Sequence, residues 1–571
     1  MASRQHVGRR ALAGLLGVLV LASTVARAGE PVVLGRVSAA NVRMLVDKAA
    51  KLAEKFAPGA GAMVMGGVGQ QLMQPPLAGI DFTQPATVVL FGGKAFGKKE
   101  PVPVVVATVG DAAKLNIQLP DGVPPPFQID VRDNFVVLAQ EKDALAAITP
   151  KRLALYTKFP AFGGASDLYA TFYVARAIEE YRADIDQGIK DMEESTAQLQ
   201  VGGPMAIIGK VMKIWGPLVD LSGKQVRRTT LMLQLNDDNV QIAGRVYAEQ
   251  DTALGTFFAG QPKEGTDLVK YLPADLVVGV AGKLDIAKTK PLVDSVLEAV
   301  GTPLEMSPDD KEQVRSLMFG NTQTGEFAGG VAGGATHQGM QTIQVVRIGD
   351  TEKFRAASKD AVEWLAKSGL GALMQAAGMQ MNVDYKANAR EHNGTPIDQL
   401  TVTVAQAPGA EPNPMMGQPV PQVTEIAAIG EVGIAASNNA TGDLLNAAID
   451  RIKGAGGASL ATSTQYKTAL AAAPKEANVV YHVLFNSMLA KAIEQVAKQQ
   501  PGIALLTGGI FKADPIEEPI TGYVQFGNRQ IDFATRIPHQ PILALTTRVR
   551  MLMEQQKKAG QPGGAGPDDD F

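Results

Sequence analysis

Val105-Val106-Ala107-Thr108-Val109-Gly110-Asp111-Ala112-Ala113-Lys114-Leu115 returns, one residue shorter, as Val345-Val346-Arg347-Ile348-Gly349-Asp350-Thr351-Glu352-Lys353-Phe354. Each stretch opens as an apolar strand and turns at Gly-Asp, whose carboxylate can accept from the free amides of a first helical turn. Each then continues as a helix. Matching segments follow in the same order. In the first half, Thr87–Phe91 and Pro103–Thr108 read as paired strands. A second pair, Phe127–Val131 and Phe135–Gln140, spans Arg132-Asp133-Asn134, and a helix runs from Asp143 to Ile148. In the second half, Gln341–Ile348 leads into a helix from Thr351 to about Leu373, and Ile426–Ala436 into a helix from Asp443 to Ile452.

The later portions also correspond. Asp167–Val174 reads as a strand entering a helix at Ala175, and Asn478–Phe485 as a strand entering a helix from about Ser487 to Gln499. Hairpins with period-two alternation follow. Leu231, Leu233 and Leu235 share one face before the turn Asn236-Asp237-Asp238-Asn239, and Val524 and Phe526 precede Gly527-Asn528, with Ile531 and Phe533 beyond. One apolar and one polar face per strand point to antiparallel sheet. The expected fold is therefore α+β: two tandem duplicated halves, each with antiparallel sheets covered on one face by helices. The boundaries are a signal peptide at 1–28, a first half at 29–261 with a helical insertion at 175–227, a second half at 262–556, and a disordered acidic tail at 557–571.

A chain of 571 residues with 46% hydrophobic and 19% charged residues can bury a large core. The absence of cysteine excludes disulfides, thiolate metal sites, cysteine nucleophiles and a lipid-modified cysteine. Arg4, Arg9 and Arg10 precede an apolar run from Ala11 to Ala22, and Ala26-Arg27-Ala28 supplies the small residues of a cleavage site. The expected location is extracytoplasmic, periplasmic or secreted, after cleavage near Ala28, with an uncleaved signal anchor as the alternative. Arg9-Arg10 suits either general or twin-arginine export. Cleavage removes four arginines and no acid, which leaves 50 basic against 57 acidic residues. That balance gives no electrostatic case for nucleic acid.

Catalytic vocabulary is missing. Gly92-Gly93-Lys94-Ala95-Phe96-Gly97-Lys98-Lys99 nearly spells a phosphate-binding loop, but Lys99 stands where the magnesium-binding hydroxyl belongs, and a strand rather than a helix follows. It reads as a hairpin loop. Gly329-Gly330-Val331-Ala332-Gly333-Gly334 reads as a flexible strand edge or turn. His337, His392, His482 and His539 are scattered without metal-ligand spacing, and no GxSxG elbow is present. No catalytic, cofactor-binding or metal-binding residue is assigned, and no cofactor is implied.

The insertion carries the one functional hint. Ile178, Tyr181, Ile185, Ile189 and Met192 form a helical stripe, and after Gly202-Gly203-Pro204 a second helix, Met205–Leu221, is apolar around most of its circumference. Its Ile208, Met212 and Trp215 are the candidate contact surface. Lys210 and Lys213 beside Trp215 could sit at a lipid headgroup boundary, and the Met-rich stretch Leu373–Met381 could adapt to apolar partners. The leader, the repeated units and the Gly-Asp-x-x-Lys-apolar pattern at Gly110–Leu115 and Gly349–Phe354 resemble secreted bacterial, planctomycete-like proteins of a domain-of-unknown-function family. That resemblance implies an extracytoplasmic place and carries no catalytic residues over. The expected function is a non-enzymatic envelope protein acting as a binding or interaction scaffold. Its partner would be an envelope protein or an apolar ligand, with peripheral membrane contact. The alternatives are a carrier of lipid or another apolar ligand, and an extracytoplasmic hydrolase whose site is assembled from distant residues.

Overall fold

Short alternating segments between turn residues produce 18 strands among the residues described by the computed structural model: 31–73, 77–115, 127–160, 166–198, 213–304, 306–319, 325–336, 339–367, 379–406, 421–439, 442–499 and 517–559. The first segment holds β1 (Val33–Ala39), β2 (Ala86–Phe91), β3 (Val102–Thr108), β4 (Gln128–Arg132), β5 (Phe135–Ala139), β6 (Leu168–Phe172), β7 (Val226–Leu235) and β8 (Asn239–Ala248). The second holds β9 (Leu276–Lys283), β10 (Glu326–Thr336), β11 (Gly339–Arg347), β12 (Met379–His392), β13 (Thr395–Gln406), β14 (Gln422–Ile429), β15 (Val432–Ser437), β16 (Val479–Val483), β17 (Ile520–Gly527) and β18 (Gln530–Pro538). The turns are local chemistry: Asp133 (φ 53°) and Arg529 (φ 59°) take the left-handed conformation in the β4–β5 and β17–β18 turns.

The pairings between these strands are antiparallel. In the first segment the neighbours run β4-β5-β3-β2-β1-β6-β7-β8. In the second they run β12-β13-β14-β15-β11-β10-β9-β16-β17-β18. Apart from the added β12–β13 hairpin, the second order has the sequence of the first. The segments share one sheet because β8 pairs with β18, from Asn239↔Pro538 to Tyr247↔Gln530. Both ends of this junction close alike: Ala248 N–H donates to the Arg529 carbonyl (3.0 Å), and His539 N–H to the Asp238 carbonyl (2.8 Å).

The first segment contributes helices α1 (Val42–Phe56), α2 (Lys142–Ala146), α3 (Pro150–Tyr156), α4 (Val174–Glu180), α5 (Arg182–Gln198), α6 (Trp215–Gln225) and α7 (Ala253–Ala259). The second contributes α8 (Ile286–Gly301), α9 (Pro308–Phe319), α10 (Thr351–Lys367), α11 (Asp443–Ile452), α12 (Thr464–Ala472), α13 (Phe485–Gln499) and α14 (His539–Ala559). Caps explain several starts: Asn41 accepts from Met44 N at 2.7 Å, Thr149 accepts ahead of Pro150, and Asp285 accepts from Ala287 N at 2.9 Å.

Helical cover on a single face is not what forms. On β2, Val89 and Phe91 pack with Leu145, Ile148, Leu153 and Tyr156, whereas Leu90 between them packs on the opposite side with Ala177 and Tyr181. In the second segment Ile434 and Val345 join Leu445 and Ile449 on one face, while Gly433 backs onto the Phe354 ring on the other. The continuous apolar runs Val88–Phe91 and Val104–Ala107 are the signature of strands buried on both faces. Leu231, which alternation places on the apolar face of β7 with Leu233 and Leu235, is exposed at 37%.

Other expectations change more locally. After Asp111 the described residues Ala112–Leu115 form a 3-10 turn where a helix was expected, and 116–126 lie outside the described residues, while the repeat at Thr351 continues as α10. The reading of Gly329-Gly330 as an edge or turn is overturned: both lie within β10, between β9 and β11. A Cβ at Gly330 would stand 2.0 Å from the Val278 carbonyl, so the glycine permits close backbone approach. Gly330→Ala is expected to destabilise by about 2 kcal/mol or more through forced backbone displacement, seen as a lowered urea midpoint. Of the Met-rich stretch Leu373–Met381, residues 373–378 lie outside the described residues and Met379–Met381 open β12. Helix α14 takes in residues 557–559, which the sequence assigns to the tail, and 560–571 lie outside the described residues.

Candidate functional site

Where β8 meets β18, one end of the junction is packed and the other is open. At the packed end, Phe257 and Phe258 of α7 meet Phe526 of β17 with ring centroids 5.1 and 5.8 Å away, and Ala248, Val246, Leu254, Leu284, Leu292 and Ile531 close around them. At the other end lies an open cleft of about 750 Å³ lined by Lys55, Asp237, Asp238, Glu518, His539 and a face of α14.

Helix α1 reaches this end because its middle is tethered. Lys48 Nζ binds both carboxylate oxygens of Asp167 (2.7 and 3.0 Å), and Asp167 also accepts from Leu235 N at 2.7 Å. This brings the last turn of α1 to the β7–β8 turn, where Lys55 donates to the Asp237 carbonyl. The turn is locked internally, with Asn236 N donating to the Asn239 carbonyl and Asn236 Nδ2 to Asn239 Oδ1, both at 2.9 Å. Arg536 spans Glu518 (2.7 Å) and Asp238 (3.1 Å). Leu543, Ala544, Thr547, Arg548 and Met551 supply the wall from α14.

His539 sits where β18 becomes α14. It is only 4% exposed, stands edge-on to Phe56 with centroids 5.8 Å apart, and neither ring nitrogen meets a partner among the described residues. Burial, reinforced by the Lys55 charge, holds its pKa below the usual histidine value, so the ring is neutral at pH 7. The remaining polar groups are largely committed: the Thr547 hydroxyl donates to the Leu543 carbonyl at 2.8 Å, and Arg536 occupies Glu518 and Asp238. The cleft thus sets an apolar wall from α14 above a charged rim whose Asp238 and Glu518 are paired with Arg536.

Compared with protein-family models, with curated proteins and with solved structures, the chain matches none.

The contact surface expected from sequence is not this cleft. Ile208 and Met212 lie outside the described residues. Trp215, 51% exposed, opens α6, which packs against α4, α8 and β7. The hairpin-loop reading of Gly92–Lys99 matches the structure: it joins β2 to β3 through a 3-10 turn. Beneath it lies the fully buried Glu180, whose Oε1 accepts from Lys94 N at 3.1 Å. A carboxylate in that position repels phosphate. His482 is buried in β16, its Nε2 3.2 Å from the Leu276 carbonyl. Among the described residues no group of three or more His, Cys, Asp or Glu could hold a metal ion. Sequence reasoning missed Lys55, Glu518 and His539 as a site because no spacing links them. Its one signal was the Asn236–Asn239 turn.

Proposed function

We propose that this protein is a non-enzymatic, extracytoplasmic binding scaffold, built from two tandemly duplicated halves, that holds an apolar or amphipathic segment of an envelope partner in the cleft beside His539. The observation that carries the reading is the asymmetry of the junction. Strand orders correspond in the two segments, yet the end filled by Phe257, Phe258 and Phe526 has an open counterpart lined by Leu543, Ala544 and Met551. A duplicated unit that only needed stability would gain by filling both ends, since buried apolar area stabilises by about 25 cal/mol per Å². The open end is the one reserved for a ligand.

Two further observations support the reading. Two carboxylates of the cleft's rim, Asp238 and Glu518, are neutralised by Arg536 from outside it, and its histidine is neutral with no hydrogen-bond partner among the described residues. The charged, apolar and small-residue order of residues 4–28 suits export, and no helix among the described residues is long and apolar enough to cross a membrane.

The test uses the chain from Gly29 and the fluorescent probe anilinonaphthalene sulfonate. Ala544→Trp, which fills the cleft from its α14 wall, should weaken the tightest class of dye binding by about tenfold, or about 1.4 kcal/mol, with unchanged circular dichroism. Equal binding by the variant would sink the assignment of the cleft.

A further inference from the structure

The two edges of the sheet are built differently. At one, β4 is short and charged: Arg132 pairs with Asp130 and turns back to the Ile148 and Leu145 carbonyls (2.9 Å to the latter). Short, charged edges resist further pairing. At the other, β12 runs for 14 residues with β13 as its one strand neighbour among the described residues. From Met379↔Gln406 to Lys386↔Gln399 its register is regular. The register shifts before Arg390↔Ile397, around Asn388 in the left-handed conformation (φ 50°). Met379, Met381, Val383 and Tyr385 are half-buried, and Gln380, Asn382 and Asp384 point to solvent on the opposite face. The stretch Met379–Val383 carries no charge.

We propose that β12 is a self-association edge, pairing antiparallel with β12 of a second copy about a two-fold axis at Asn382. Such an edge presents unpaired N–H and C=O groups that a like strand satisfies. A two-fold at Asn382 sets Gln380 opposite Asp384 and Asn382 opposite itself on the exposed face. On the other it sets Met379 opposite Tyr385 and Met381 opposite Val383. No like charges meet, and each pair suits cross-strand contact. A centre at Asp384 would set two carboxylates face to face. A one-residue slip would put the apolar row opposite the polar one. The bulge at Asn388 ends the ladder. The chain already joins its own segments in this manner, edge to edge and antiparallel, at β8–β18.

The interface is independent of the cleft, and so is its test. A seven-residue ladder buries less than a standard interface, so dimerisation is expected at protein concentrations near about 100 µM. At that concentration, light scattering on the chain from Gly29 should give twice the protomer mass. Asn382→Lys and Asn382→Asp should each give protomer mass with unchanged circular dichroism, because each sets like charges together at the axis. Their equimolar mixture should recover the dimer, since lysine then faces aspartate. A wild-type chain that stays monomeric would overturn the proposal, as would single variants that remain dimeric or a mixture that stays monomeric.

Discussion

Replacing Asp398 with alanine is expected to cost about 3–5 kcal/mol of unfolding free energy, because it strands a part-buried arginine. Asp398 on β13 is fully buried. It accepts from Arg355 Nε of α10 (2.7 Å) and Asn388 N of β12 (2.9 Å), and also from the Tyr385 hydroxyl. One carboxylate thus ties a helix to two strands and fixes the bulge that ends the regular part of β12. Burial alone would raise its pKa, but Arg355, Tyr385 and the Asn388 amide outweigh burial and hold it below the usual carboxylate value. Burial and the neighbouring Asp398 charge push the Tyr385 phenol upward in turn. Because the folded pKa lies below the unfolded one, the carboxylate's contribution is fully present above the unfolded value near about 4. It is lost as pH falls through the lower folded value. Urea unfolding should therefore show a gap between wild type and Asp398→Asn that is widest at neutral pH and narrows under acid. A loss below about 1 kcal/mol for Asp398→Ala at pH 7, the value of an exposed pair, would show that the cluster is solvated in solution.

Phe526→Ala is expected to cost about 3–5 kcal/mol, the usual range for deleting a buried phenyl ring. Its ring contacts both Phe257 and Phe258, and β17 places it beneath α7. Phe526→Leu should cost roughly 1 kcal/mol because it keeps most of the volume. The alanine variant also bears on function. It hollows the junction end that corresponds to the cleft, so a variant that remains folded should bind a second equivalent of anilinonaphthalene sulfonate. Dye binding unchanged from wild type, with the stability loss present, would show that neighbouring side chains collapse into the space. The junction asymmetry would then reflect packing alone.

Much of the local architecture was legible because it rests on near-neighbour chemistry. The turn at Asn236–Asn239, the α11 start at Asp443 and the hairpins at Asp133 and Gly527 follow from residues that favour turns and caps, and the structure places them where alternation and turn signals put them. The insertion was read in part: its first stripe is split into α4 and α5 at Tyr181, and only Trp215 of the three candidate contact residues falls among those described. A helix apolar around most of its circumference invites a functional reading whether its face meets protein or a partner, and composition does not separate the two.

By itself, then, the sequence determined most of the strand and helix types and the hairpin turns. These depend on residue spacing, turn chemistry and composition within a few residues. The tertiary structure alone decided that β8 joins β18, that helices cover both faces, and that one end of the junction is filled by phenylalanines while Lys55, Asp238, Glu518 and His539 frame the other. The physical reason is that edge pairing is made by backbone amides and carbonyls, which every residue carries alike. Which distant side chains then meet is set by that pairing and not by any local pattern.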